Sequence, residues 1–555
     1  MGKINYADNY YIINAINFEN KFISACIYDN NNNSLIYTTD LNEFKSTIDT
    51  IATNTPKKQK TRIYINIECE VFLPEHKEIN YTDYNKILDN YTSFITSFDK
   101  DYLINNMKAL IPQIKYYVNK LGLNKFKHSN ALSGFGTIAA RCLEIDYPDL
   151  VNVENALEVK KRVPPSQYVR IMHGTKPYGA NCIITQNMSY GIYTDMCKYD
   201  FDSSFQSVPL LYKTFDKIKP ASRNCDYLKR IEYILDNMTT MGFIAKVRFK
   251  KRPKLKYNGF VNWLYKLDYT IDVHFMKDEI YLTHLGWEDL FACYDIDVND
   301  IEILYLYELH MTNYLPHQIE LIRRMHEDKS TAKEQHNELE KNKIKKTIHC
   351  LHGRAQLNMF TNTDQYNGWW YRKDRPLRYP GDMIYSYADS LMMYENARHN
   401  IIKLILLCKQ NGIPVIYTDT DCVVVPDTEK MSLVCKEYNN YITKLYEEKG
   451  LDIKEFTHSG HTIGFLEYEI HYDKFVFEHG KFYLFEIDGK LHSTTAGFPK
   501  DMLANKLEEY TGLKGMDAYL KFPKEKNLFL GYVNSGPVKV GDKVYNYLSP
   551  RVWFK

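Results

Sequence analysis

Two aspartates separated by a single threonine constrain the fold of this chain more than any other sequence feature. Residues 413–417 and 423–425 are apolar runs of the kind that form paired strands, and Asp419 and Asp421 lie between them. Aspartate is a common turn residue, so the pattern alone also fits an ordinary hairpin turn. However, two carboxylates this close repel each other unless cations neutralise them. Magnesium bound jointly by carboxylates and phosphates is therefore the functional hypothesis for this hairpin.

A third acid, Asp200, follows an apolar and aromatic run and precedes a helix-like segment that contains Pro209. Alone, it could be a surface aspartate at the end of a strand. Asp200 and Asp421 are 421 − 200 = 221 residues apart in the sequence, but a sheet could bring them together. Phosphoryl and nucleotidyl transfer use two metal ions roughly 4 Å apart, held by such carboxylates. The two segments together predict a two-metal site.

Residues 316–358 have the pattern of two helices joined by a polar connection, and Pro316 can begin the first. In the second helix, Lys341, Lys345, His349 and His352 recur at i, i+4, i+8 and i+11, which places them on one helical face. Such a face could hold a triphosphate and stack against a base. A solvated amphipathic helix is the alternative interpretation.

These segments, taken in order, resemble the motifs of family B DNA polymerases, specifically the protein-primed subgroup of small linear-genome phages and linear plasmids. Residues 200–205 are similar to motif A (Asp-x-x-Ser-Leu-Tyr), residues 345–353 to motif B (Lys-x-x-x-Asn-Ser-x-Tyr-Gly), and residues 417–422 to motif C (Tyr-x-Asp-Thr-Asp-Ser). Residues 481–483 are similar to the Lys-x-Tyr motif, and a Thr-Ala-Gly follows at 495–497. The resemblance covers about residues 175–500. It implies an α+β, right-hand polymerase with palm, fingers and thumb.

The resemblance implies roles for the acids and for the residues that contact DNA. Asp200 and Asp421 would bind two Mg²⁺ or Mn²⁺ ions, with the carbonyl of Phe201 as a further ligand, and Asp419 would support the site or the primer end. The residues implied to contact DNA are Lys481 and Tyr483 at the primer, and Tyr178 and Gly179 at the template strand.

The resemblance also implies a nucleotide-binding set, with departures from the family pattern. Lys345 would contact the incoming triphosphate, and Lys341 and Lys333 lie at spacings that the family also fills with lysine. Phe205 stands where the family has a sugar-gating tyrosine; its ring can still exclude a 2′-hydroxyl, although the phenol hydroxyl is missing. His349 and Cys350 replace Asn-Ser, and His352 replaces the motif B tyrosine. These changes affect expected nucleotide affinity and fidelity more than the reaction.

The N-terminal region matches the family's proofreading exonuclease motifs poorly. The first motif, Asp-x-Glu, corresponds either to Asn17-Phe18-Glu19 or to residues 14–16, and both begin with asparagine. The second corresponds to Asn66 through Glu70, and the third to Tyr102 through Asn106, where asparagine again replaces aspartate. We therefore expect a reduced exonuclease-like α/β domain with little or no nuclease activity. The alternative is that the matches are chance and that this is a different domain.

The resemblance and the available lengths imply a domain order, in which the two insertions are those that define the protein-primed subgroup. The second insertion could form the hairpin that encircles DNA for processivity and strand displacement. The expected order is an exonuclease-like domain (1–165), a first palm segment (166–212), a first terminal-protein-region-like insertion (213–320), fingers (321–356), a second such insertion (357–388), a second palm segment (389–512) and thumb (513–555).

Composition adds exclusions. The net charge is +2, which neither indicates nor excludes DNA binding, because a local basic surface can exist within a neutral total. The closest of the 11 cysteines are 13 residues apart, so no Cys-x-x-Cys supports a structural zinc site or a redox dithiol. No apolar run approaches the roughly 20 residues that span a bilayer, and the N-terminus lacks a signal core. We expect a cytoplasmic protein inside a bacterial host, with no membrane partner.

The sequence therefore predicts a template-directed DNA polymerase that uses primer-template DNA, deoxynucleoside triphosphates and a terminal protein as primer. Two alternatives remain. One is a polymerase of the same fold that works without a template or primer, for example in phage defence. The other is a non-catalytic nucleic-acid-binding scaffold, which the acids at positions 200, 419 and 421 argue against.

Overall fold

A computed structural model of the 555-residue chain describes most of its length. The described residues are 6–18, 21–56, 59–65, 76, 79–83, 100–121, 135–162, 191–251, 253–256, 279–363, 368–371, 384–479, 482–495, 501–523, 528–540 and 543–554. Across these residues, no helix combines the length and the apolarity needed to cross a bilayer.

Helices and strands both occur along the whole chain. The helices are α1 (Leu41–Asn54), α2 (Lys100–Leu121), α3 (Phe135–Asp146), α4 (Val153–Lys161), α5 (Ser204–Leu211), α6 (Tyr227–Leu235), α7 (His284–Cys293), α8 (Pro316–Glu334), α9 (Glu338–Met359), α10 (Tyr387–Gln410), α11 (Glu429–Lys449), α12 (Met502–Thr511) and α13 (Met516–Leu520). The strands of the first half are β1 (Tyr6–Phe18), β2 (Lys21–Asp29), β3 (Ser34–Thr38), β4 (Lys60–Ile65), β5 (Ile79–Asp83), β6 (Tyr193–Phe201), β7 (Thr214–Pro220), β8 (Met241–Phe249), β9 (Lys254–Leu255), β10 (Glu279–Thr283), β11 (Tyr294–Asp295) and β12 (Ile301–Thr312). Those of the second half are β13 (Phe360–Thr363), β14 (Gly368–Tyr371), β15 (Tyr417–Asp419), β16 (Cys422–Pro426), β17 (Thr457–His458), β18 (His461–Thr462), β19 (Leu466–His479), β20 (Phe482–Ile487), β21 (Lys490–Thr495), β22 (Leu528–Val540) and β23 (Lys543–Phe554).

The chain divides into two compact units. One contains residues 1–145, 495–510 and 521–555; the other contains residues 146–494 and 511–520. The predicted boundary between residues 165 and 166 lies outside the described residues.

The first unit contains a five-stranded mixed sheet in the order β3-β2-β1-β4-β5. Strand β1 runs antiparallel to β2 and parallel to β4, and β4 runs parallel to β5. Helix α1 begins at the cap residue Asp40, whose side chain accepts hydrogen bonds from two backbone N–H groups, and it buries Phe44 and Ile48 against the sheet. The strand-like segments 12–13, 22–28 and 62–65 lie in β1, β2 and β4, and segment 102–121, with apolar residues at helical spacing, lies in α2.

The second unit is organised around a six-stranded sheet in the order β15-β16-β6-β19-β20-β21. Strand β6 lies at its centre and pairs antiparallel with both β16 and β19. The hairpin predicted at 413–425 is present, but its first strand begins at Tyr417, so the predicted start at 413 is wrong. Pro414 has no N–H to donate, which prevents a regular ladder there.

A second sheet, in the order β10-β8-β12-β7, occupies the segment between residues 213 and 320. Ile244 and Leu309 of this sheet pack against Leu391 and Met392 of α10. Helix α10 begins with a capping box at Ser386 and is followed by Gly412 in the left-handed conformation, as its sequence predicts. The two predicted helices at 316–358 are confirmed as α8 and α9, with Pro316 in the first turn of α8.

Candidate active site

Two adjacent strands bring Asp200 and Asp421 together at one end of the six-stranded sheet. Asp200 is directly opposite Cys422 in the ladder between β6 and β16, which places Asp421 beside it at the hairpin tip. The backbone N–H of Phe201 donates to the carbonyl of Asp421 at 3.0 Å. The register of this ladder therefore juxtaposes two acids that are far apart in the sequence.

The hairpin tip has a strained backbone. Thr420 has a positive φ of 62°, and the N–H of Asp421 donates to the carbonyl of Asp419 at 2.7 Å, which closes a three-residue γ-turn. A β-branched residue at positive φ costs roughly 1–3 kcal/mol, so the surrounding sheet must hold it in place. The tight turn aims Asp421 into a cleft, whereas Asp419 is not among the described residues that line that cleft.

The two carboxyl groups are held in an environment that resists their ionisation. Burial, followed by the negative charge of Asp421, raises the pKa of Asp200 to about 7. Burial also raises the pKa of Asp421, and the favourable charge of Lys198 only partly offsets this. Oδ1 of Asp200 is buried without a hydrogen-bond partner among the described residues. Oxygen donors of this kind suit a divalent cation, so Asp200 and Asp421 fit the predicted metal-binding role.

Lys198 and Glu469 lie next to these acids. Nζ of Lys198 lies 3.5 Å from Oδ2 of Asp200 and 2.5 Å from Oε2 of Glu469. Burial disfavours the lysine charge, but the neighbouring acidic groups outweigh burial and raise the pKa of Lys198. This ammonium group therefore offsets part of the negative charge beside the two aspartates.

The segment after Asp200 turns sharply into α5. Ser203, the residue before the helix, has a φ of 54°, and Asp202 accepts a hydrogen bond at 3.1 Å between its Oδ2 and Nε2 of His326. His326 belongs to α8 and is 3% exposed, with its Nδ1 buried and unpartnered among the described residues. Burial alone would raise the pKa of Asp202, but the His326 hydrogen bond and the charge of Lys329 lower it overall. Asp202 is thus an ionised acid that connects the motif A segment to α8.

Helices α8 and α9 form a lysine-rich wall opposite the aspartates. The cleft between them and the sheet has a volume of about 510 Å³. Its lining includes Asp200 and Asp421 on one side and, on the other, four lysines: Lys329, Lys333, Lys341 and Lys345. Lys341 pairs with Glu338 at 2.7 Å, whereas the other three have no ion-pair partner in the described part of the chain. Burial and the charges of Lys345 and Lys333 lower the pKa of Lys329. The wall therefore carries positive charge that an anionic ligand would neutralise.

Two rings complete the cleft. Phe205, at the start of α5, packs edge-on against Tyr394 of α10, with ring centroids 5.2 Å apart. His349 lies on the same face of α9 as Lys345; partial desolvation, followed by the charges of Lys345 and Lys329, lowers its pKa. His349 is therefore a neutral ring at physiological pH, suited to stacking or hydrogen bonding rather than to charge neutralisation.

Some predicted site residues are not brought into the cleft, and others cannot be placed. Tyr483 packs in an aromatic cluster with Tyr417, at a centroid distance of 5.2 Å, and burial raises its pKa. Several predicted residues lie outside the described ones: Tyr178, Gly179, Lys481, Glu19, Asn66 and Glu70. The side chains of His352, Asn17 and Tyr102 also lie outside the described part of the structure.

The first unit brings together two asparagines from the weak exonuclease motifs. Nδ2 of Asn14 in β1 donates to Oδ1 of Asn106 in α2 at 3.2 Å. Asn14 is 1% exposed, and its Oδ1 has no hydrogen-bond partner among the described residues. Asn14 belongs to one of the two alignments left open for the first motif; in the other, the Asn17 side chain and Glu19 lie outside the described part of the structure. The Asn14–Asn106 pair is neutral, so it lacks the paired carboxylates that a two-metal nuclease needs.

Sequence reasoning missed three cleft residues, Asp202, His326 and Lys329, and two residues beside the acids, Lys198 and Glu469. Lys329 had a usable signal, because it lies four residues before Lys333 on the same face of a predicted helix. Lys198 also had a usable signal in the sequence, since it is two residues before Asp200 and points to the same side of a strand. His326 and Glu469 had no local signal.

The chain matches no protein-family model, and a search of curated proteins found no significant sequence match. Its fold is nevertheless similar to solved structures of Phi29 DNA polymerase. These include a binary complex with primer-template DNA (TM-score 0.58, 12% identity, covering 99% of this chain and 100% of that chain) and a complex with single-stranded DNA (TM-score 0.58, 12% identity, covering 98% and 99%). A ternary complex with primer-template DNA and incoming nucleotides has a TM-score of 0.54 at 12% identity and covers 99% of both chains. The predicted α+β polymerase fold is confirmed.

Proposed function

We propose that this protein is a template-directed DNA polymerase that adds deoxynucleotides to a 3′-hydroxyl. One observation carries the proposal: Asp200 presents a buried, unpartnered carboxylate oxygen beside Asp421, and both face a cleft whose opposite wall is rich in lysine. Nucleotidyl transfer requires acidic groups that bind metal ions and positively charged groups that bind phosphates. This cleft has the acidic groups on one wall and the positively charged groups on the other. The full-length similarity to Phi29 DNA polymerase supports the same reaction class.

In the proposed reaction, the 3′-hydroxyl oxygen attacks the α-phosphate of a deoxynucleoside triphosphate in line, a new P–O bond forms, and pyrophosphate leaves. Asp200 and Asp421 would hold two Mg²⁺ or Mn²⁺ ions, which stabilise the attacking and leaving oxygens when bound. Lys345, Lys333 and Lys329 lie on the wall where the triphosphate charge would be placed.

Phe205 and His349 would shape the nucleotide pocket. The Phe205 ring is fixed by Tyr394 and lies on the floor of the cleft, where it can exclude a ribose 2′-hydroxyl by contact alone. Because Phe205 cannot donate a hydrogen bond, discrimination against ribonucleotides would be steric. His349, neutral and next to Lys345, is placed to contact the base or the triphosphate.

Primer extension on a defined template tests the proposal. Wild-type protein is expected to extend a labelled primer with the templated nucleotide only when Mg²⁺ or Mn²⁺ is present. Asp421→Asn and Asp200→Asn should each reduce incorporation by at least about 1,000-fold while the circular dichroism spectrum is unchanged. Asp226→Asn is the matched control, because Asp226 caps a helix away from the cleft and asparagine caps equally well. Undiminished incorporation by either site variant would refute the site assignment.

The same assay separates the alternative functions. Equal incorporation with and without template would favour template-independent synthesis. No metal-dependent incorporation on any primer would favour a non-catalytic binding role.

We further propose that proofreading is weak or absent. The pair Asn14–Asn106 offers amide groups where two carboxylates would be needed. A primer with a mismatched, labelled 3′ end should therefore persist when incubated with protein and Mg²⁺ but without nucleotides. Rapid release of the labelled nucleotide, lost in Asn14→Ala, would contradict this.

We also propose that a protein serves as the primer, which the resemblance to the protein-primed subgroup supports. We also propose the domain order set out from the sequence, with residues 213–320 and 357–388 as the insertions that would serve priming and strand displacement. Deletion of residues 364–367 and their flanking hairpin should reduce strand displacement more than extension on a gapped single-stranded template. Equal losses in the two assays would argue against this assignment.

A further inference from the structure

A second group of potential metal ligands lies on the other face of the six-stranded sheet. Cys197 in β6, Asp427 just after β16 and His471 in β19 each offer one ligand atom, and these atoms all lie within 4.8 Å of one another. Side chains alternate along β6, so Cys197 and Asp200 point to opposite faces of the sheet. This group is therefore separate from the candidate active site, and an inference about it does not depend on the proposed function.

The strand register creates the group. Cys197 is directly opposite His471 in the β6–β19 ladder and opposite Val425 in the β6–β16 ladder. Asp427 is anchored by a 2.7 Å hydrogen bond from its N–H to the carbonyl of Asp195. Three adjacent strands thus converge on one point, and paired residues on one face of a sheet have Cβ atoms about 5 Å apart.

The donor set indicates which metal fits. A thiol sulfur, an imidazole nitrogen and one carboxylate oxygen match the preference of Zn²⁺ for S, N and O ligands, whereas Mg²⁺ takes oxygen almost exclusively. Nε2 of His471 lies 4.0 Å from Oδ2 of Asp427. Tetrahedral zinc with bonds of about 2.0–2.3 Å needs ligand atoms slightly closer together. Asp427 is 57% exposed and His471 is 34% exposed in their side chains, so small rotations can close the difference.

A fourth residue is placed to orient the histidine. Nδ1 of His471 faces Oδ1 of Asp473 at 3.8 Å, on the side of the ring away from Asp427. The other oxygen of Asp473 accepts a 2.7 Å hydrogen bond from the N–H of Asp488, which fixes the carboxylate. Histidines that bind metal through one ring nitrogen commonly donate the other N–H to a carboxylate. A small rotation of the exposed His471 ring would bring Nδ1 within hydrogen-bond distance of this carboxylate.

We propose that Cys197, Asp427 and His471 form a zinc site in which Asp473 positions the histidine. Cys197 is 2% exposed. On binding, the thiol proton is released to solvent, the sulfur forms a bond to the metal as a thiolate, and the fourth position is filled by water. Bound zinc would tie β16, β6 and β19 together; Asp421 immediately precedes β16, and Asp200 is the penultimate residue of β6.

The experiment uses the full chain with Asp200→Asn and Asp421→Asn, so that the candidate active site does not contribute metal binding. Protein treated with chelator and dialysed is titrated with Co²⁺, and the near-ultraviolet thiolate-to-cobalt band and the visible bands are recorded. Zinc affinity is then measured by displacement of Co²⁺. We expect one equivalent of Co²⁺ with a thiolate band, and zinc should displace it and raise the thermal midpoint.

Variants assign the ligands. Cys197→Ser should abolish the thiolate band, and His471→Gln should weaken zinc binding at least tenfold. Asp473→Asn should retain the band but weaken zinc binding by about 10- to 100-fold. Cys435→Ser, which removes a half-buried thiol of α11 outside the group, is the matched control and should change nothing. Because His471 and Asp473 are partly exposed, their variants should remain folded even if Cys197→Ser does not. Absence of a thiolate band, or zinc binding unchanged in both His471→Gln and Asp473→Asn, would overturn the proposal.

Discussion

Lys198 is the positive charge nearest to the two cleft aspartates, and replacing it with methionine tests the electrostatics of the site. Its Nζ lies 3.5 Å from Asp200 and 2.5 Å from Glu469, and its side chain is 17% exposed. Methionine preserves the apolar part of the side chain and removes the charge. Glu469 would then lose its partner and remain as an additional negative charge close to Asp200.

The structure allows the size of the effect to be estimated. At 3.5 Å and an effective dielectric constant of about 20, the attraction between Lys198 and Asp200 is roughly 5 kcal/mol before screening. Asp200 is 34% exposed in its side chain, so water and ions reduce this strongly. A conservative remainder of about 1.4 kcal/mol corresponds to tenfold tighter proton binding by Asp200 in the variant. With a starting pKa of about 7, the ionised fraction at pH 7 would fall from about one half to about one tenth.

The sign of the pH dependence follows from that change. A divalent cation binds the ionised carboxylate, so protons compete with it at low pH. Loss of Lys198 favours the protonated form, and the acidic limb of the activity profile should move to higher pH. At subsaturating Mn²⁺, the ratio of incorporation by Lys198→Met to incorporation by wild type should be about fivefold lower at pH 7 than at pH 9. Saturating Mn²⁺ should reduce this difference between the variant and wild type.

The assay is single-nucleotide incorporation on a primer-template between pH 6 and pH 9 at two Mn²⁺ concentrations. Lys474→Met is the control, since Lys474 is an ion-paired lysine of the same sheet, 3.0 Å from Glu486. It should leave the profile in place. If Lys198→Met reduces the rate by the same factor at every pH and metal concentration, Lys198 acts only on structure and the electrostatic reasoning is refuted.

Three further predictions concern the cleft wall, its backbone and a buried histidine. Lys329→Ala should raise the KM for the nucleotide about 10- to 100-fold with a smaller change in kcat, measured by steady-state primer extension, because it removes a charge-assisted phosphate contact of about 1.5–3 kcal/mol. Gly464→Ala should lower the free energy of unfolding by about 1–3 kcal/mol in urea denaturation, since Gly464 has a φ of 86° and an added Cβ would lie 3.0 Å from Cβ of Ser207. Gly460 has a φ of 80° with open space around it, so Gly460→Ala should lower the free energy of unfolding by less. Burial lowers the pKa of His284 to about 4, so its neutral form stabilises the fold above pH 6.5, and this contribution is lost as the pH falls towards 4. Between pH 7 and pH 5 the free energy of unfolding should fall by about 2 kcal/mol from this residue. If the pH dependence of the thermal midpoint is unchanged in His284→Gln, the prediction is contradicted.

The elements with strong local patterns could be predicted from the sequence, as could the pairing of the acids. Helices α8 and α9 have helical spacing, α8 has a proline in its first turn, and together they occupy the predicted segment 316–358. Asp200 and Asp421 could be paired because Asp200 follows an apolar strand, Asp421 lies at the tip of an apolar hairpin, and family motifs fix their order. The prediction was less accurate where a single residue overrides the pattern, as Pro414 does by removing a strand hydrogen bond donor.

The residues that sequence reasoning missed are those placed by long-range register. Glu469 lies beside Lys198 because β19 pairs with β6, and His326 reaches the cleft because α8 packs beside α5. Neither fact is encoded near those residues. The proposed zinc site depends on the same kind of long-range register, so the absence of Cys-x-x-Cys does not test it. Cys197 and His471 are 274 positions apart (471 − 197), yet they are direct partners in a ladder. Spacing rules detect ligands that share a loop and cannot detect ligands that share a sheet.

The backbone around the cleft shows why local propensity fails at this site. Ser203, Thr420 and Ser459 all have positive φ values, of 54°, 62° and 51°, although none of them is glycine. Ser203 and Ser459 line the cleft, and Thr420 closes the turn that aims Asp421 into it. Each such residue costs roughly 1–3 kcal/mol, which a six-stranded sheet with a large buried core can offset. Glycine at these positions would reduce the strain but would also let the turns relax. The strained residues therefore fix the positions of Asp200 and Asp421 before any cation or substrate binds, which reduces the reorganisation that the reaction requires.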